Sequence, residues 1–217
     1  MSDVTGRRYD YGQGSLDLAD LDPDPIRQFH EWLMDAADAG HLEPNAMTLA
    51  TAGADGAPSA RVVLLRGMDE RGFTWYTNRT SLKGRDLAAN PRAALAFHWE
   101  RLERQVRVSG AVSPIADEES AAYFGGRPRR SQLAAWASPQ GQPLLSRVEL
   151  VSATEHYAIL YPDTVPLPPF WGGYRLVPEM IELWQGRRNR LHDRFAYLRD
   201  EDVRSSGSGW RIVRLAP

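Results

Sequence analysis

Apolar and polar residues alternate along much of this chain with the period of two that half-buried β-strands show. The alternation predicts strands at residues 47–51, 61–66, 73–77, 93–99 and 105–112. Three more are predicted near the end of the chain, the first running from 174–176 into 180–184, then 194–198 and 210–215. Short turns separate most neighbouring strands. We therefore expect a mostly antiparallel sheet that closes into a barrel with helices packed outside it.

Helical periodicity marks the remaining ordered segments. The predicted helices cover residues 23–40, 82–90, 117–124, 132–136 and, with a poor pattern, 145–161. Asp22 or Asp24 can cap the first helix, and Gly40 can end it. Ser81 or Thr80 can cap the second. Residues 1–22 are polar and weakly periodic, so we expect a mobile arm followed by one domain over residues 23–217.

The stretch from Arg61 to Lys83 predicts a phosphate site. We interpret it as two strands joined by a tight turn at 69–72, followed directly by a helix start. Lys83 is the only lysine among the 26 lysines and arginines. Cations, hydroxyls and the amide donors of a helix N-terminus are the groups that bind phosphate. The alternative for Lys83 is that one lysine remains by chance on a solvated helix face.

Two further basic clusters carry candidate chemistry. Residues 127–131, with Tyr123 just upstream, can hold a second small anion, although a solvated basic loop would have the same composition. Residues 184–194 combine Trp184, several arginines and His192. No second histidine lies at ligand spacing from His192, so we expect no metal site.

Composition narrows the functional class. The 217 residues have a formal net charge of −2 and include no cysteine. This balance argues against a general nucleic-acid binder and against disulfides or thiolate metal sites. No apolar run approaches the roughly 20 residues needed to span a bilayer, and the first ten residues lack the apolar centre of an export signal. We expect a cytoplasmic protein that binds neither nucleic acid nor membranes.

Several common catalytic motifs are missing from the sequence. It contains no Gly-x-Ser-x-Gly elbow, no Walker loop and no Gly-x-Gly-x-x-Gly after a strand. Candidate anion sites without these motifs suggest that an organic cofactor carries out the chemistry.

A series of short motifs then identifies a family. They are Arg61-Val-Val-Leu-Leu, Tyr76-Thr-Asn, Asn90-Pro-Arg, Leu102-Glu-Arg-Gln105-Val, Arg127-Pro-Arg-x-Ser131-Gln, Pro166-Leu-Pro, Phe170-Trp-Gly-Gly, Trp184-Gln-Gly, Arg190-Leu-His-Asp-Arg194 and Arg214-Leu-Ala-Pro217. From about Arg8 to the last residue, this ordered set closely resembles the pyridoxamine/pyridoxine 5′-phosphate oxidase family. The resemblance implies a mainly antiparallel β (α+β) fold, an FMN-binding split β-barrel with flanking helices, and a homodimer whose active sites lie at the dimer interface.

The resemblance also implies a reaction. It is the conversion of pyridoxine 5′-phosphate or pyridoxamine 5′-phosphate to pyridoxal 5′-phosphate, with hydride transfer from C4′ to flavin N5 and reoxidation by O2 to H2O2. Two rivals remain: a related flavin oxidase with a phenazine-type substrate, and a non-catalytic protein that binds flavin or pyridoxal phosphate. The retained Arg127, Arg129 and Ser131 argue against the first rival, and Arg190 and His192 argue against the second.

Carried over residue by residue, the resemblance implies the following site. The FMN phosphate binds Arg61 and Lys83, and the other FMN-binding residues are Val62, Val63, Leu64, Tyr76, Thr77, Ser81, Leu82, Gln105, Gln140, Trp184 and Arg194. Four of these residues surround the flavin ring, some of them from the facing subunit: Gln105, Gln140, Trp184 and Arg194. The substrate phosphate binds Arg66, Tyr123, Arg127 and Ser131. Arg190 and His192 are the catalytic residues over the pyridine ring, and Arg8 and Tyr11 close over the substrate.

Three positions depart from the family pattern. Arg66 stands where lysine is usual, Leu82 where arginine is frequent, and Gly141 where a hydroxyl residue is usual. A forked guanidinium at position 66 is larger than an ammonium, so we expect it to change substrate affinity.

Overall fold

The computed structural model describes residues 5–6, 9–200 and 209–217. Its helices are α1 (Pro25–Asp38), α2 (Leu82–Ala89), α3 (Asp117–Gly125), α4 (Arg129–Ala137) and α5 (Arg147–Leu160). Its strands are β1 (Ala46–Ala52), β2 (Pro58–Leu64), β3 (Gly67–Asp69), β4 (Gly72–Asn78), β5 (Arg92–Trp99), β6 (Arg104–Pro114), β7 (Trp171–Gln185), β8 (Asp193–Arg199) and β9 (Trp210–Arg214). No helix in these residues is long and apolar enough to cross a membrane.

All nine described strands belong to one antiparallel sheet, which divides at the long strand β7. The main path runs β2-β1-β5-β6-β7-β4-β3. β7 has β6 along one side, whereas its other side pairs first with β4 and then with β8. Pro178 lies between these two pairings. Because proline has no N–H to donate, it suits a point where ladder hydrogen bonds change partner.

The corner between β2 and β3 joins the two ends of this path. The Leu65 N–H donates to the carbonyl of Asn45 beside β1, and the Arg66 N–H donates to the carbonyl of Thr74 on β4, both at 2.9 Å. The predicted hairpin between residues 61–66 and 73–77 is therefore wrong. The 69–72 turn, with Gly72 at φ +127°, joins β4 to the short strand β3, while β2 pairs with β1.

Side chains on the two faces of the sheet follow the predicted alternation. Register aligns four fully buried side chains across β5 to β8 on the inner face: Phe97, Val106, Leu183 and Phe195. The next position on each strand points outward and gives a parallel row: His98, Gln105, Trp184 and Arg194. The outward face of the sheet therefore carries a row of polar and aromatic side chains across β5 to β8.

The helices agree with the sequence predictions except at one place. Asp24 caps α1, Gly40 follows it at φ +80°, and the Ser81 hydroxyl accepts the Gly84 N–H at the start of α2. Residues 127–131 were predicted as a loop, but α4 already begins at Arg129. Helices α3 to α5 surround a second apolar cluster, which includes Phe124, Leu133, Val165 and Trp171. Residues 201–208, between the strands predicted at 194–198 and 210–215, lie outside the described residues.

Candidate functional site

Arg61 and Lys83 lie side by side at one end of the sheet. Arg61 comes from β2, and its Nη1 donates to the Thr51 hydroxyl at 2.7 Å. Thr51 in turn donates to Asp86 Oδ2 on α2 at 2.7 Å. Lys83 is buried in the first turn of α2, where its Nζ lies 3.1–3.3 Å from oxygens of Thr77, Ser81 and Gln140. All three oxygens belong to neutral groups.

This neighbourhood has more positive charge than it can compensate internally. Burial, and after it the nearby Arg61 guanidinium, lowers the pKa of Lys83. Burial also lowers the pKa of Arg61, and Asp86, 3.8 Å from its Nη2, opposes that shift. One carboxylate therefore faces two cations, Lys83 buried and Arg61 partly buried, an arrangement that favours a bound anion.

A second pair of cations lines the same cavity. Burial and, to a smaller extent, Arg66 lower the pKa of Arg127, whereas Tyr123 raises it. The guanidinium of Arg127 lies 4.8 Å from the ring centre of Trp171. Its Nη1 is buried and has no hydrogen-bond acceptor among the described residues. An unsatisfied buried donor of this kind is costly, so it too favours an anionic ligand.

The cavity between the two cation pairs measures about 380 Å³. It is lined by Arg61, Val62, Val63, Leu64, Arg66, Tyr76, Thr77, Lys83, Tyr123, Arg127, Gln140 and Trp171. An adjoining cavity of about 310 Å³ shares five of these residues and adds Ser131. The rings of Tyr76 and Tyr123 stack 3.8 Å apart and form a flat wall beside the cations. We call this region the anion cavity.

A second group of predicted site residues lies on the outer row of the sheet. Gln105, Trp184 and Arg194 are cross-strand neighbours on β6, β7 and β8. Glu182 is buried under Arg194, whose guanidinium donates to it at 2.8 and 3.0 Å, and it also pairs with Arg107 at 3.3 Å. The carboxylate of Glu182 therefore sets the position of Arg194.

Arg190 and His192 line a cavity of about 370 Å³ beside this row, together with Tyr9, Asp10, Tyr11, Arg187 and Asn189. The Trp184 and His192 rings are 4.6 Å apart, and the edge of Tyr11 packs against both. Asn189 and Arg190 have φ values of +58° and +62°. Two consecutive left-handed residues other than glycine are strained, and such strain is concentrated at functional sites. We call this region the ring cavity.

The hydrogen bonding of His192 defines its chemical state. Its Nδ1 accepts the backbone N–H of Arg187 at 3.0 Å. In neutral imidazole the other nitrogen, Nε2, then carries the proton and acts as a donor. Burial, and after it Arg190, lowers the pKa of His192, while Asp193 opposes the shift. In this tautomer Nε2 can donate a hydrogen bond to a ligand but cannot accept a proton from it.

Within one chain the two cavities have no lining residue in common. Trp171 lines the anion cavity and Trp184 borders the ring cavity, and both belong to β7. Thirteen residues of extended strand correspond to a contour length of about 40 Å. Gln140 was grouped with Gln105, Trp184 and Arg194 in the sequence prediction, but its side chain lies in the anion cavity beside Lys83.

Comparison with known proteins agrees with the predicted family. Residues 33–161 match the family described as pyridoxamine 5′-phosphate oxidase, and residues 171–217 match the pyridoxine 5′-phosphate oxidase C-terminal dimerisation region. The pyridoxine/pyridoxamine 5′-phosphate oxidase 1 of Ralstonia nicotianae is 53% identical over 217 residues, which cover all of both chains. The chain belongs to the pyridoxamine 5′-phosphate oxidase family. Like the relatives that define this family, it is an oxidoreductase.

Solved structures agree with the fold of this oxidase-family chain. PhzG from Burkholderia lata 383, crystallised with tetrahydrophenazine-1-carboxylic acid, is 32% identical with a TM-score of 0.84, over 94% of this chain and all of that one. A pyridoxamine 5′-phosphate oxidase-related, FMN-binding protein from Nostoc punctiforme PCC 73102 is 18% identical with a TM-score of 0.72, over 91% and 100%. The prediction of a mainly antiparallel split barrel with flanking helices is confirmed.

The structure of this oxidase-family member adds several residues that the sequence did not single out. Thr51 and Asp86 hold Arg61, Glu182 holds Arg194, and Trp171 packs under Arg127. An acidic residue inside the apolar run 180–184 was a usable signal for Glu182. Thr51 and Asp86 are 35 positions apart and carried no motif.

For three residues named in the sequence analysis, the structure gives no support to the predicted role. Leu82 is half exposed on α2 and does not line the anion cavity. Arg129 donates to the carbonyls of Tyr161 and Asp163 just beyond α5, away from the anion cavity, so it no longer supports a phosphate loop. Arg8 lies outside the described residues.

Proposed function

We propose that this enzyme is an FMN-dependent oxidase that converts pyridoxine 5′-phosphate or pyridoxamine 5′-phosphate to pyridoxal 5′-phosphate. The observation that carries the proposal is the presence of two cation pairs on one cavity, Arg61 with Lys83 and Arg66 with Arg127. Among the described residues, neither pair has a full countercharge. The proposed cofactor and the proposed substrate are both phosphate monoesters, so each pair has a ligand group that matches it.

The donor set around Lys83 fits the phosphate of FMN. Arg61 and Lys83 would neutralise its charge, and the hydroxyls of Thr77 and Ser81 would complete its hydrogen bonds. Val62, Val63, Leu64 and Tyr76 form the adjoining wall. When bound, FMN supplies a ring that accepts a hydride from the substrate's C4′ carbon and returns the electrons to O2, giving H2O2.

The substrate phosphate is assigned to Arg66, Tyr123, Arg127 and Ser131. The unpartnered Nη1 of Arg127 supports this assignment, because a phosphate oxygen would satisfy it. Binding a group remote from the reacting carbon holds the substrate in place without contacting the atoms that change. The stacked rings of Tyr76 and Tyr123 limit how far the phosphate can shift.

We propose that the complete site forms between two copies of the chain. The two cavities of one chain share no lining residue, and Trp171 and Trp184, which mark them, lie at opposite ends of β7. Trp184, Arg190, His192 and Arg194 all lie within the residues that match the dimerisation region. A second copy would place its ring cavity over the anion cavity of the first, with Gln105, Trp184 and Arg194 around the flavin.

In this arrangement the residues of the ring cavity act on the substrate's pyridine ring. The Arg190 guanidinium can stack on the ring and stabilise charge that develops there. His192 donates a hydrogen bond from Nε2. Tyr11, and by resemblance Arg8, cover the ring from the arm and exclude water.

The test is an anaerobic mixture of purified protein, reconstituted with FMN, and pyridoxine 5′-phosphate, followed by flavin absorbance. We expect the flavin band to bleach and then to return with H2O2 when air is admitted. Bound flavin that stays oxidised with both phosphorylated vitamers would overturn the assignment. Bleaching only by tetrahydrophenazine-1-carboxylic acid, the compound crystallised with PhzG, would favour the alternative of a phenazine-type substrate.

A further inference from the structure

The buried carboxylate of Glu103 joins the N-terminal segment to the barrel. We infer that Glu103 is a positioning residue that docks residues 9–16, here called the arm segment, over the ring cavity. Its Oε2 accepts the backbone N–H groups of Gly12 at 2.6 Å and Gln13 at 2.9 Å. These bonds link positions about 90 residues apart in sequence.

The arm amides supply the solvation of this carboxylate. Glu103 is only 2% exposed, and its other oxygen, Oε1, is buried without a hydrogen-bond partner among the described residues. Burying a carboxylate is expensive unless donors replace its water. Two convergent N–H groups form a small anion-binding nest. Docking of the arm segment therefore supplies the hydrogen-bond donors that the buried Glu103 carboxylate needs.

The backbone of Glu103 fixes the other side of the connection. The residue sits in the left-handed region at φ +55°, and its carbonyl accepts the N–H of Gly186 at 2.7 Å. Gly186 begins the turn that carries Arg190 and His192. A single residue thus contacts the arm segment through its side chain and the ring-cavity turn through its main chain.

The arm segment and the ring-cavity turn meet over Gly186, and their contact leaves no room for a side chain at this position. A Cβ at this position would lie 2.8 Å from the Tyr11 ring and 2.9 Å from the Glu103 Cβ. The contact brings the Tyr11 ring against Trp184 and His192. Arg187 and Asp193 extend the attachment by bonding Gly14 and Leu16 at 3.0 and 3.1 Å. The position of Tyr11 over the ring cavity follows from this packing.

Cleavage by chymotrypsin between Tyr11 and Gly12 tests the inference, because the protease needs the Gly12 amide released. Cleavage tracks the open population when opening is fast. With the FMN-reconstituted full-length protein and mass spectrometry, we expect Glu103→Ala to speed this cut at least tenfold. Glu103→Gln keeps an acceptor and should fall between wild type and Glu103→Ala. The exposed Glu43→Ala is the matched control and should behave as wild type.

A second variant changes the arm instead of the barrel. Gln13→Pro removes one of the two donors and leaves Glu103 in place, so it answers the question even if Glu103→Ala fails to fold. We expect a similar acceleration, and the double variant should add little to either single change. Wild-type cleavage rates in Glu103→Ala, or in Gln13→Pro if Glu103→Ala is unfolded, would overturn the inference.

Kinetics give an independent readout that rests on the proposed function. We expect Glu103→Ala to raise the KM for pyridoxine 5′-phosphate about five- to tenfold with a smaller change in kcat, and Glu103→Gln to recover part of the loss. If no phosphorylated vitamer is oxidised even by wild type, the proposed function fails while the cleavage experiment still decides the role of Glu103.

Discussion

The backbone N–H of Arg187 donates to Nδ1 of His192 at 3.0 Å, so the turn that carries His192 also selects its tautomer. Protonating Nδ1 would break this bond. Burial, and after it Arg190, lowers the pKa of His192 from 6.5, and Asp193 opposes the shift. His192 should therefore be a neutral donor throughout the physiological range.

This state predicts a pH profile. Well above pH 6.5, kcat/KM should not depend on the protonation of His192, and it should fall as the pH drops through the lowered pKa. The free energy of unfolding should fall in the same direction, because the unfolded chain takes up the proton first. His192→Gln, which can keep a donor near the Nε2 position, should retain more activity than His192→Ala. An ascending limb centred above pH 7 that disappears in His192→Gln would instead indicate a catalytic base.

Lys83 predicts a pH dependence of opposite sign for FMN binding. Burial and Arg61 lower its pKa from 10.5, so the anion cavity loses a charge as the pH rises through that lowered value. FMN affinity, measured by calorimetry between pH 7.5 and 10, should fall across this window. Over the same window the unfolded chain holds more protons, so the apoprotein should gain stability.

Lys83→Arg is the control for this titration, because arginine stays charged. The variant should show an affinity that is flat with pH, whatever its absolute value. An identical slope in wild type and Lys83→Arg would assign the pH dependence to another group.

Asp86 is the carboxylate nearest to Arg61 of the anion cavity, and removing its charge should affect protein stability and FMN affinity in opposite directions. Asp86→Asn keeps an acceptor for the Thr51 hydroxyl but removes the negative charge near Arg61. We expect the apoprotein to melt at a lower temperature and FMN to bind more tightly, on the order of tenfold. The exposed Asp38→Asn on α1 provides the same charge change outside the cavity. Weaker FMN binding by Asp86→Asn would mean that Asp86 acts mainly by orienting Arg61.

Arg127 and Arg129 form a matched pair two residues apart. Arg127→Ala removes a cation of the anion cavity, so the KM for pyridoxine 5′-phosphate should rise about a hundredfold, as expected for a lost charge-assisted contact. Arg129→Ala removes donors to the carbonyls beyond α5, which should cost about 1 kcal/mol of stability and leave KM within about twofold. Thermal melts and steady-state kinetics of both variants measure this contrast. Similar KM values for the two would contradict the substrate assignment of Arg127.

Two substitutions of Arg190 separate the effect of its strained backbone from the effect of its side chain. Arg190→Ala and Arg190→Gly both remove the guanidinium, so both should keep bound flavin and lose at least about a hundredfold in turnover. The glycine variant should be more stable than the alanine variant by about 1 kcal/mol, because φ +62° costs glycine little. Equal turnover of either variant and wild type would remove Arg190 from the proposed mechanism.

Local sequence patterns were informative where structure depends on neighbours in the chain. Alternation located the strands, and Asp24, Ser81 and Gly40 marked helix ends. The strand that holds Arg61 was predicted to pair with β4, but it pairs with β1. A turn at 69–72 specifies a hairpin but does not specify how long the first strand of that hairpin is. The corner at Leu65 and Arg66 depends on hydrogen bonds to Asn45 and Thr74, which no local pattern reports.

The candidate site shows the same division. Motifs predicted that Arg61, Lys83, Arg66 and Arg127 bind phosphates, and the structure brings all four to one cavity. The residues that support the two cavities could not be predicted, because Thr51 and Asp86 near Arg61, and Glu103 beside the ring cavity, act through tertiary contacts with segments far away in sequence. Glu103 even lies inside a recognised motif, but only the folded arm segment reveals what its carboxylate binds.

The length of β7 has a consequence for inheritance as well as for chemistry. In the proposed dimer each β7 strand lends its first residues to one site and its last residues to the other. A subunit lacking Arg61 and a subunit lacking Arg190 would each form an inactive homodimer. Mixed together, they would concentrate both defects in one site and leave its twin wholly intact. Two null alleles could thus complement each other, restoring activity in about half of the sites of every hybrid dimer.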